Sequence, residues 1–358
     1  MKKKSRKLFL FFTKSLTFNT FLESMAIALK NKYEVSLCSS DVEKINNYDF
    51  KKHSFYFPVS LKDFLNIKKI IKTFININKF INKSNNDLFF CHTPVASHFI
   101  RLATFFKRPK IIYFVHGFRF NDSRNFFLNF FFKLIERILS FNTLSYITIN
   151  KSDYYFVKNI LKKPVIKVNG VGIEKKKIIK KNKNKGFFTI GMIGSYKINK
   201  GYELIIENYD KIKKIIPNLR IETYGAENPN KLKSLIRQKK INHFQLNKFE
   251  KNIINKLINF DILLHPSYRE GLSVSIMQAL QYGVPVIARN IVGNKDLIRN
   301  NYNGYLFNNN IEMFNYLNRI FSNEILKKKL SKNASKSINY KFLNNSINEK
   351  IKKFINKF

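Results

Sequence analysis

The densest polar chemistry in this chain follows an apolar run at 260–264, in the stretch HPSYREGLSVSIMQALQYGVPVIA. Gly271 lets the backbone turn closely past a ligand, and a helix opening there would aim free N–H groups at a phosphate. Glu270 can accept hydrogen bonds from hydroxyl groups. Gln278 lies eight residues further on, about two helical turns, and is expected to present to the same side. A second group is Gly194-Ser195 followed by Lys200-Gly201, where a strand runs into a glycine turn and a Lys-Gly pair opens a helix. His116-Gly117 and His92 each stand at the end of an apolar run, KIIYFVHG and LFFCH. Taken singly, these residues also read as structure: a capped helix entering a core, or a satisfied core imidazole.

Short apolar runs alternate with longer amphipathic ones along most of the chain, the pattern of βα units and parallel sheets. Strands are predicted at 7–13, 33–39, 87–92, 110–116, 145–150 and 165–168, with helices such as 61–83, 94–107 and 124–142 between them. Thr93-Pro94 supplies a cap and a first-turn proline. At 170–186 turn chemistry gives way to KKKIIKKNKNK, with seven lysines and no acid, which reads as an interdomain linker. A second series follows, with strands near 187–194, 219–224, 243–247, 260–264, 285–288 and 304–307. Two doubly wound domains would set functional residues just after strands, at a cleft. The four candidate groups fall there.

The stretch from Glu270 closely resembles the signature of family-4 retaining glycosyltransferases, in which a Glu, seven residues and a second Glu precede an Ala, a Gly and a Pro-containing strand. The resemblance implies that Glu270 holds the donor sugar, that the Gly271-Leu272-Ser273 turn borders the donor, and that Gln278, in place of the second Glu, accepts a ribose hydroxyl without charge. It implies that Lys200 contacts the donor diphosphate beside Gly194, with Ser195 where the family usually has Arg. It places His116 beside the donor sugar, with Gly117 and His92 on the acceptor side. The likeness runs from the first strand to the last helix and is clearest over 186–308. The implied fold is α/β, of the GT-B type: two Rossmann-like doubly wound domains, 1–170 for the acceptor and 171–340 for the nucleotide sugar, facing a central cleft. A helix at 341–358 returns to the first domain.

Lysine and arginine total 66 against 23 acids, a net charge of +43. Lys, Asn, Ile and Phe share A/T-rich codons, so genome composition explains part of this, and a solvated lysine surface is the plain reading. Beyond that, such charge attracts polyanions. The sequence contains no Asp-x-Asp and no histidines at metal-ligand spacing, so neither a metal nor another cofactor is expected. No recognised nucleic-acid motif appears. Cys38 and Cys91 lie in strand-like apolar runs, as free thiols of a reducing compartment do. The opening MKKKSRKLFLFFTKSLTF reads as a basic leader and a first strand rather than a signal sequence. Phe126 to Phe141 reads as a helix with an apolar face suited to a bilayer surface.

These readings combine into one expectation. The chain would transfer a hexose or N-acetylhexosamine, with retention, from a UDP-sugar to a lipid-linked or polysaccharide acceptor, at the cytoplasmic face of an anionic membrane. The alternatives are a GT-B protein that binds without catalysing, supported by Ser195 and Gln278, and a basic nucleic-acid binder.

Overall fold

The computed structural model describes residues 6–83, 87–120, 125–179 and 186–358. The basic leader at 1–5 and residues 180–185 of the lysine-rich run lie outside them. The chain divides into two compact units, Met1–Gly172 with Asn344–Phe358, and Ile173–Leu343.

The first unit holds a seven-stranded, wholly parallel sheet in the order β3-β2-β1-β4-β5-β6-β7. Its strands are β1 Lys7–Phe11, β2 Glu34–Ser39, β3 Lys51–Ser54, β4 Leu88–His92, β5 Lys110–Val115, β6 Ser145–Thr148 and β7 Val165–Lys167. The central strands are apolar on both faces because helices cover both sides of a parallel sheet. Helix α1 (Glu23–Lys30) follows β1. Helices α2 (Ile67–Asn82), α3 (Pro94–Ala103) and α4 (Phe126–Ser140) make the crossovers from β3 through β6. Phe9, Phe11, Phe55, Phe89 and Phe99 form much of the core beneath them, with Phe9 stacked on Phe89 at 5.6 Å.

Local signals set the helix starts. Asn66 caps α2, its side chain accepting from Lys69 N at 3.1 Å, so the continuous helix begins later than 61. Asn125 does the same for α4 through Phe127 N at 2.8 Å. Pro94 occupies the first turn of α3, but Thr93 makes no side-chain cap. Its hydroxyl meets that of Thr13 at 2.6 Å instead, and its φ of 60° is a strained setting for a β-branched residue.

The second unit repeats the plan with β8 (Phe188–Ile193), β9 (Leu219–Gly225), β10 (Phe244–Lys248), β11 (Ile262–His265), β12 (Val286–Arg289) and β13 (Gly304–Phe307), in the order β10-β9-β8-β11-β12-β13. Gly191 on β8 is required by packing, since a Cβ there would lie 1.9 Å from the Phe260 ring. Helices α5 (Tyr202–Glu207) and α6 (Val274–Gln281) leave the loops that follow β8 and β11. In each sheet the strand order reverses beside the first strand, at β1/β4 and at β8/β11. These are the positions where doubly wound sheets open a crevice at their carboxyl ends.

The last helix, α7 (Asn344–Ile355), belongs to the first unit. It packs on α1, with Asn348 donating to Ser24 Oγ at 3.0 Å and Lys350 Nζ to Lys167 O at 2.8 Å. The strand at 51–54 has no counterpart among the sequence expectations. Its residues, Lys-Lys-His-Ser, carry no apolar alternation, because it is a sheet edge with one neighbour.

Candidate active site

In the second unit the two loops at the β8/β11 switch point are fastened to each other. The loop after β8 reaches Lys200, and the loop after β11 carries Pro266 to Gly271. Asn199 O accepts from Tyr268 N at 2.9 Å and from Ser267 Oγ at 3.2 Å. Gly201, at φ 74°, sits where a Cβ would be 2.7 Å from Pro266 O. The aliphatic chain of Lys200 passes Gly194 at ordinary contact distance, 3.7 Å from Lys200 Cδ to the position of a Cβ there. Tyr202 OH donates to Gly194 O at 2.8 Å. Ser195 follows, half-buried.

Two cationic or polar donors therefore converge on one carboxylate. Lys200 Nζ lies 2.6 Å from Glu270 Oε1, and His265 Nε2, from the end of β11, lies 2.9 Å from the same oxygen. Burial works against a charged Glu270. The hydrogen bond from His265, then the charges of His265 and Lys200, outweigh it and hold the carboxyl at about 2. Glu270 is thus ionised at neutral pH and His265 carries its proton on Nε2 in this contact. Lys200 has three N–H donors, so it can hold the carboxylate and a phosphate oxygen together.

Helix α6 begins at Val274, with Ser273 as its cap: Ser273 Oγ accepts from Ile276 N at 3.4 Å and meets Ser275 Oγ at 3.0 Å. Leu272 is buried beneath this turn. Gly271 is closely packed from the side, since Gly293, at φ 88°, stands where a Cβ would be 2.4 Å from Gly271 O.

In the first unit His116 follows β5 and Gly117 takes φ 112°. His116 Nε2 lies 3.2 Å from His92 Nδ1, and its ring stacks on Phe114 at 4.5 Å. Burial lowers His116 to about 4 although the residue reaches the surface in part, so the imidazole is neutral at pH 7. Asp153 anchors the loop beyond, accepting from Phe118 N at 3.3 Å and from Asn150 Nδ2 at 2.8 Å.

The family described as Glycosyl transferases group 1 matches residues 174–337, and that described as Glycosyl transferase 4-like matches residues 8–150. The chain belongs to the group 1, 4-like glycosyltransferases. It is 25% identical to the UDP-Gal:alpha-D-GlcNAc-diphosphoundecaprenol alpha-1,3-galactosyltransferase of Escherichia coli, over 88% of this chain and 87% of that one. It is 23% identical to the capsular polysaccharide biosynthesis glycosyltransferase CapM of Staphylococcus aureus, over 99% and 98%. Among solved structures, Anabaena Alr3699/HepE in complex with UDP and glucose superposes with a TM-score of 0.74 at 16% identity, covering 99% and 100% of the two chains. The fold of this glycosyltransferase is GT-B, built from two Rossmann-like domains.

The geometry amends two sequence expectations for the enzyme. His92 is wholly buried behind His116, so it braces that residue rather than facing an acceptor. Burial, followed by the neighbouring His116, lowers its pKa well below the usual range. Gln278 is half-buried on α6, but Glu270 lies in the loop before the cap, so a two-turn helical spacing does not relate the two. Gly194, Ser195, Lys200, Glu270, Gly271, Leu272 and Ser273 do lie on the two fastened loops of the glycosyltransferase.

Sequence reasoning passed over His265, Gly293 and Arg289. Arg289 ends β12, its Nε donating to Pro266 O at 3.2 Å and its guanidinium lying 4.2 Å from the Tyr268 ring centroid. His265 and Arg289 shared one signal with His116, a polar residue closing an apolar strand. Gly293 was detectable only through the positive φ it adopts. Among the described residues, no three of His, Cys, Asp and Glu come together as a metal-binding group.

Proposed function

We propose that this glycosyltransferase moves a hexose or N-acetylhexosamine from a UDP-sugar to a lipid-linked or polysaccharide acceptor, with retention of configuration and without a metal. The observation that carries the reading is the Lys200–Glu270–His265 group at the β8/β11 switch point. It offers a cation for a diphosphate and an ionised carboxylate for sugar hydroxyls, on loops held rigid by mutual hydrogen bonds. The names of the two relatives support an acceptor in surface glycan synthesis, and the UDP and glucose bound by HepE support the donor class.

In this mechanism the bond from the anomeric carbon to the diphosphate oxygen breaks as charge gathers on the leaving oxygen. Lys200 and the backbone N–H groups around the Ser273 cap oppose that charge, the electrostatic role that preorganised donors fill best. The acceptor hydroxyl attacks from the face on which the nucleotide departs, and its proton passes to the departing phosphate. Ser195 lines the phosphate loop. Glu270 orients the sugar ring, His116 contacts the transferred sugar as a neutral imidazole, Gly117 lets the backbone approach the acceptor, and Gln278 accepts a ribose hydroxyl. A donor made in the cytoplasm and an acceptor on a lipid place the reaction at the inner face of a membrane.

A thermal-shift screen against UDP, GDP, ADP and CMP and their sugars tests the donor site, with Glu270→Ala beside the wild type. A ligand at about 100 times its dissociation constant stabilises the native state by about 2.7 kcal/mol. Selective stabilisation by one UDP-sugar, reduced in the variant, is expected. No response to any nucleotide sugar would favour a GT-B protein that no longer catalyses, or a nucleic-acid binder.

A further inference from the structure

Helix α4 carries more apolar surface outward than inward. Its inward side is formed by Asn129, Phe132, Ile135, Glu136, Leu139 and Ser140. Its outward side presents Phe127, Phe131, Leu134, Ile138 and then Phe141, an apolar stripe at alternating spacings of four and three, and all five are exposed. Phe126 and Phe130 widen it, and Phe126 and Phe127 are 76% and 78% exposed. A soluble helix ordinarily turns such a stripe to the core, and an exposed patch of this kind marks an interaction site.

Among the described residues, the exposed charges on α4 are basic. The helix's only acid, Glu136, is 4% exposed and bound within the fold to Arg101 and His98. Lys133 and Arg137 are exposed on the same helix. Lys133 Nζ lies 5.7 Å from the Phe120 ring centroid and the Arg119 guanidinium 6.0 Å from that of Phe132. Lys151 and Lys158 are exposed on the segment that follows β6, part of which packs against α4.

Helix α2 adds a second strip. Right-handed crossovers from β3 to β4, β4 to β5 and β5 to β6 put α2, α3 and α4 on one face of the sheet, and both α2 and α4 pack against α3. On α2, Ile67, Ile71 and Ile75 are exposed, interleaved with exposed Lys68, Lys69 and Lys72.

We propose that this helical face docks on a bilayer containing anionic lipid, with α4 lying in the headgroup plane and its phenylalanines among the upper acyl chains. Helices with an apolar face and a basic border bind membranes in this way, without crossing them. Among the described residues no helix is long and apolar enough to span a membrane. The basic border selects a lipid surface over a second copy of this chain, because two copies carrying +43 each would meet cation to cation. Surface lysines and arginines instead gain from an anionic leaflet, and their aliphatic stems can lie along the apolar strip while the charges reach the headgroups. The proposal rests on the first unit alone and stands apart from the reading of the donor site.

Flotation of the full chain with vesicles of phosphatidylglycerol and phosphatidylcholine, and with phosphatidylcholine alone, tests it. The wild type is expected to float with the mixed vesicles. Phe127→Ser/Phe131→Ser, which changes no charge, should lower the apparent affinity at least about tenfold, as loss of two buried phenylalanines requires. Phe126→Ser/Phe130→Ser provides an independent pair should the first fail to fold. Stabilisation by UDP should be unchanged in either pair, which separates failure here from failure of the donor site. Wild-type flotation by both folded pairs, or binding abolished only by Lys133→Gln/Arg137→Gln, would overturn the proposal. So would light scattering that finds a wild-type dimer made monomeric by the phenylalanine changes while flotation persists.

Discussion

Lys200 Nζ and Glu270 Oε1 stand 2.6 Å apart although their residues are 70 positions apart in the chain. They come from the loops after β8 and β11, and the reversal of strand order brings those loops together. The pair is mostly shielded from solvent, the side chains being 20% and 13% exposed.

Lys200→Ala should therefore affect both folding and ligand binding. Losing a hydrogen bond to a charged group costs about 1–3 kcal/mol, readable by urea denaturation. Calorimetric titration with UDP should show a larger proportional loss, at least about tenfold in affinity, since the proposed diphosphate cation goes with it. Unchanged UDP binding would remove Lys200 from the donor site.

The acid limb of the stability curve should contain Glu270. Its folded carboxyl, at about 2, lies below the ordinary value of 4.5, so its contribution is complete above the unfolded pKa and is lost as pH falls through about 2. His265→Ala removes the leading favourable cause of that depression and should move the loss to higher pH. Denaturation measured between pH 2 and 5 checks this; superimposable curves for the two proteins would contradict it.

His92 and His116 should act as a neutral pair. One ring must donate and the other accept across their 3.2 Å contact, so full protonation of both breaks it. His116 falls from 6.5 to about 4 on burial. Its contribution is complete above 6.5 and declines as pH drops toward 4. NMR titration of the His116 ring should show it uncharged at pH 5.5; a midpoint near 6.5 would refute the pairing.

Gly293→Ala should disturb the donor loop from outside it. The new Cβ meets Gly271 O at 2.4 Å and the residue holds φ 88°, a conformation that costs a non-glycine residue about 1–3 kcal/mol. Lower thermal stability together with weaker UDP binding is expected. A loss of stability with full UDP affinity would show that the loop accommodates the change.

Glu136 and Arg101 form a buried pair, at 2.8 and 3.2 Å. Arg101 also lies 4.5 Å from the Tyr113 ring centroid. Burial opposes the charge on Glu136, but Arg101 and His98 hold it well below the usual carboxylate range. Glu136→Ala leaves a buried cation unpaired, and about 3–5 kcal/mol should be lost. Arg101→Met/Glu136→Leu should lose much less. Chemical denaturation of the two variants decides.

The alternation of strands and helices was legible because a doubly wound sheet buries its strands on both faces, which writes them as continuous apolar runs. LFLFF and KIIYFV are such runs. KKHS at 51–54 is not, since an edge strand can be polar. The glycine turns and Glu270 were legible from spacing and resemblance. The origin of α6 was not: spacing counted from Glu270 presumed a helix already under way, whereas Ser273 starts it three residues later. His265 could not be paired with Glu270 from sequence, because the turn between them sets the distance.

The first unit is discontinuous in the chain, and this bears on how the molecule is made. Residues 344–358 belong to it and cover α1 through Asn348 and Ser24, yet a ribosome reaches them only after the whole of 173–343. The second unit is one unbroken stretch and can complete its core while α1 still waits for α7. Domains tend to fold as units in the order of synthesis. Here the unit that starts earlier in the chain is finished later, and a released chain truncated before residue 344 should keep an incomplete first unit beside a finished second.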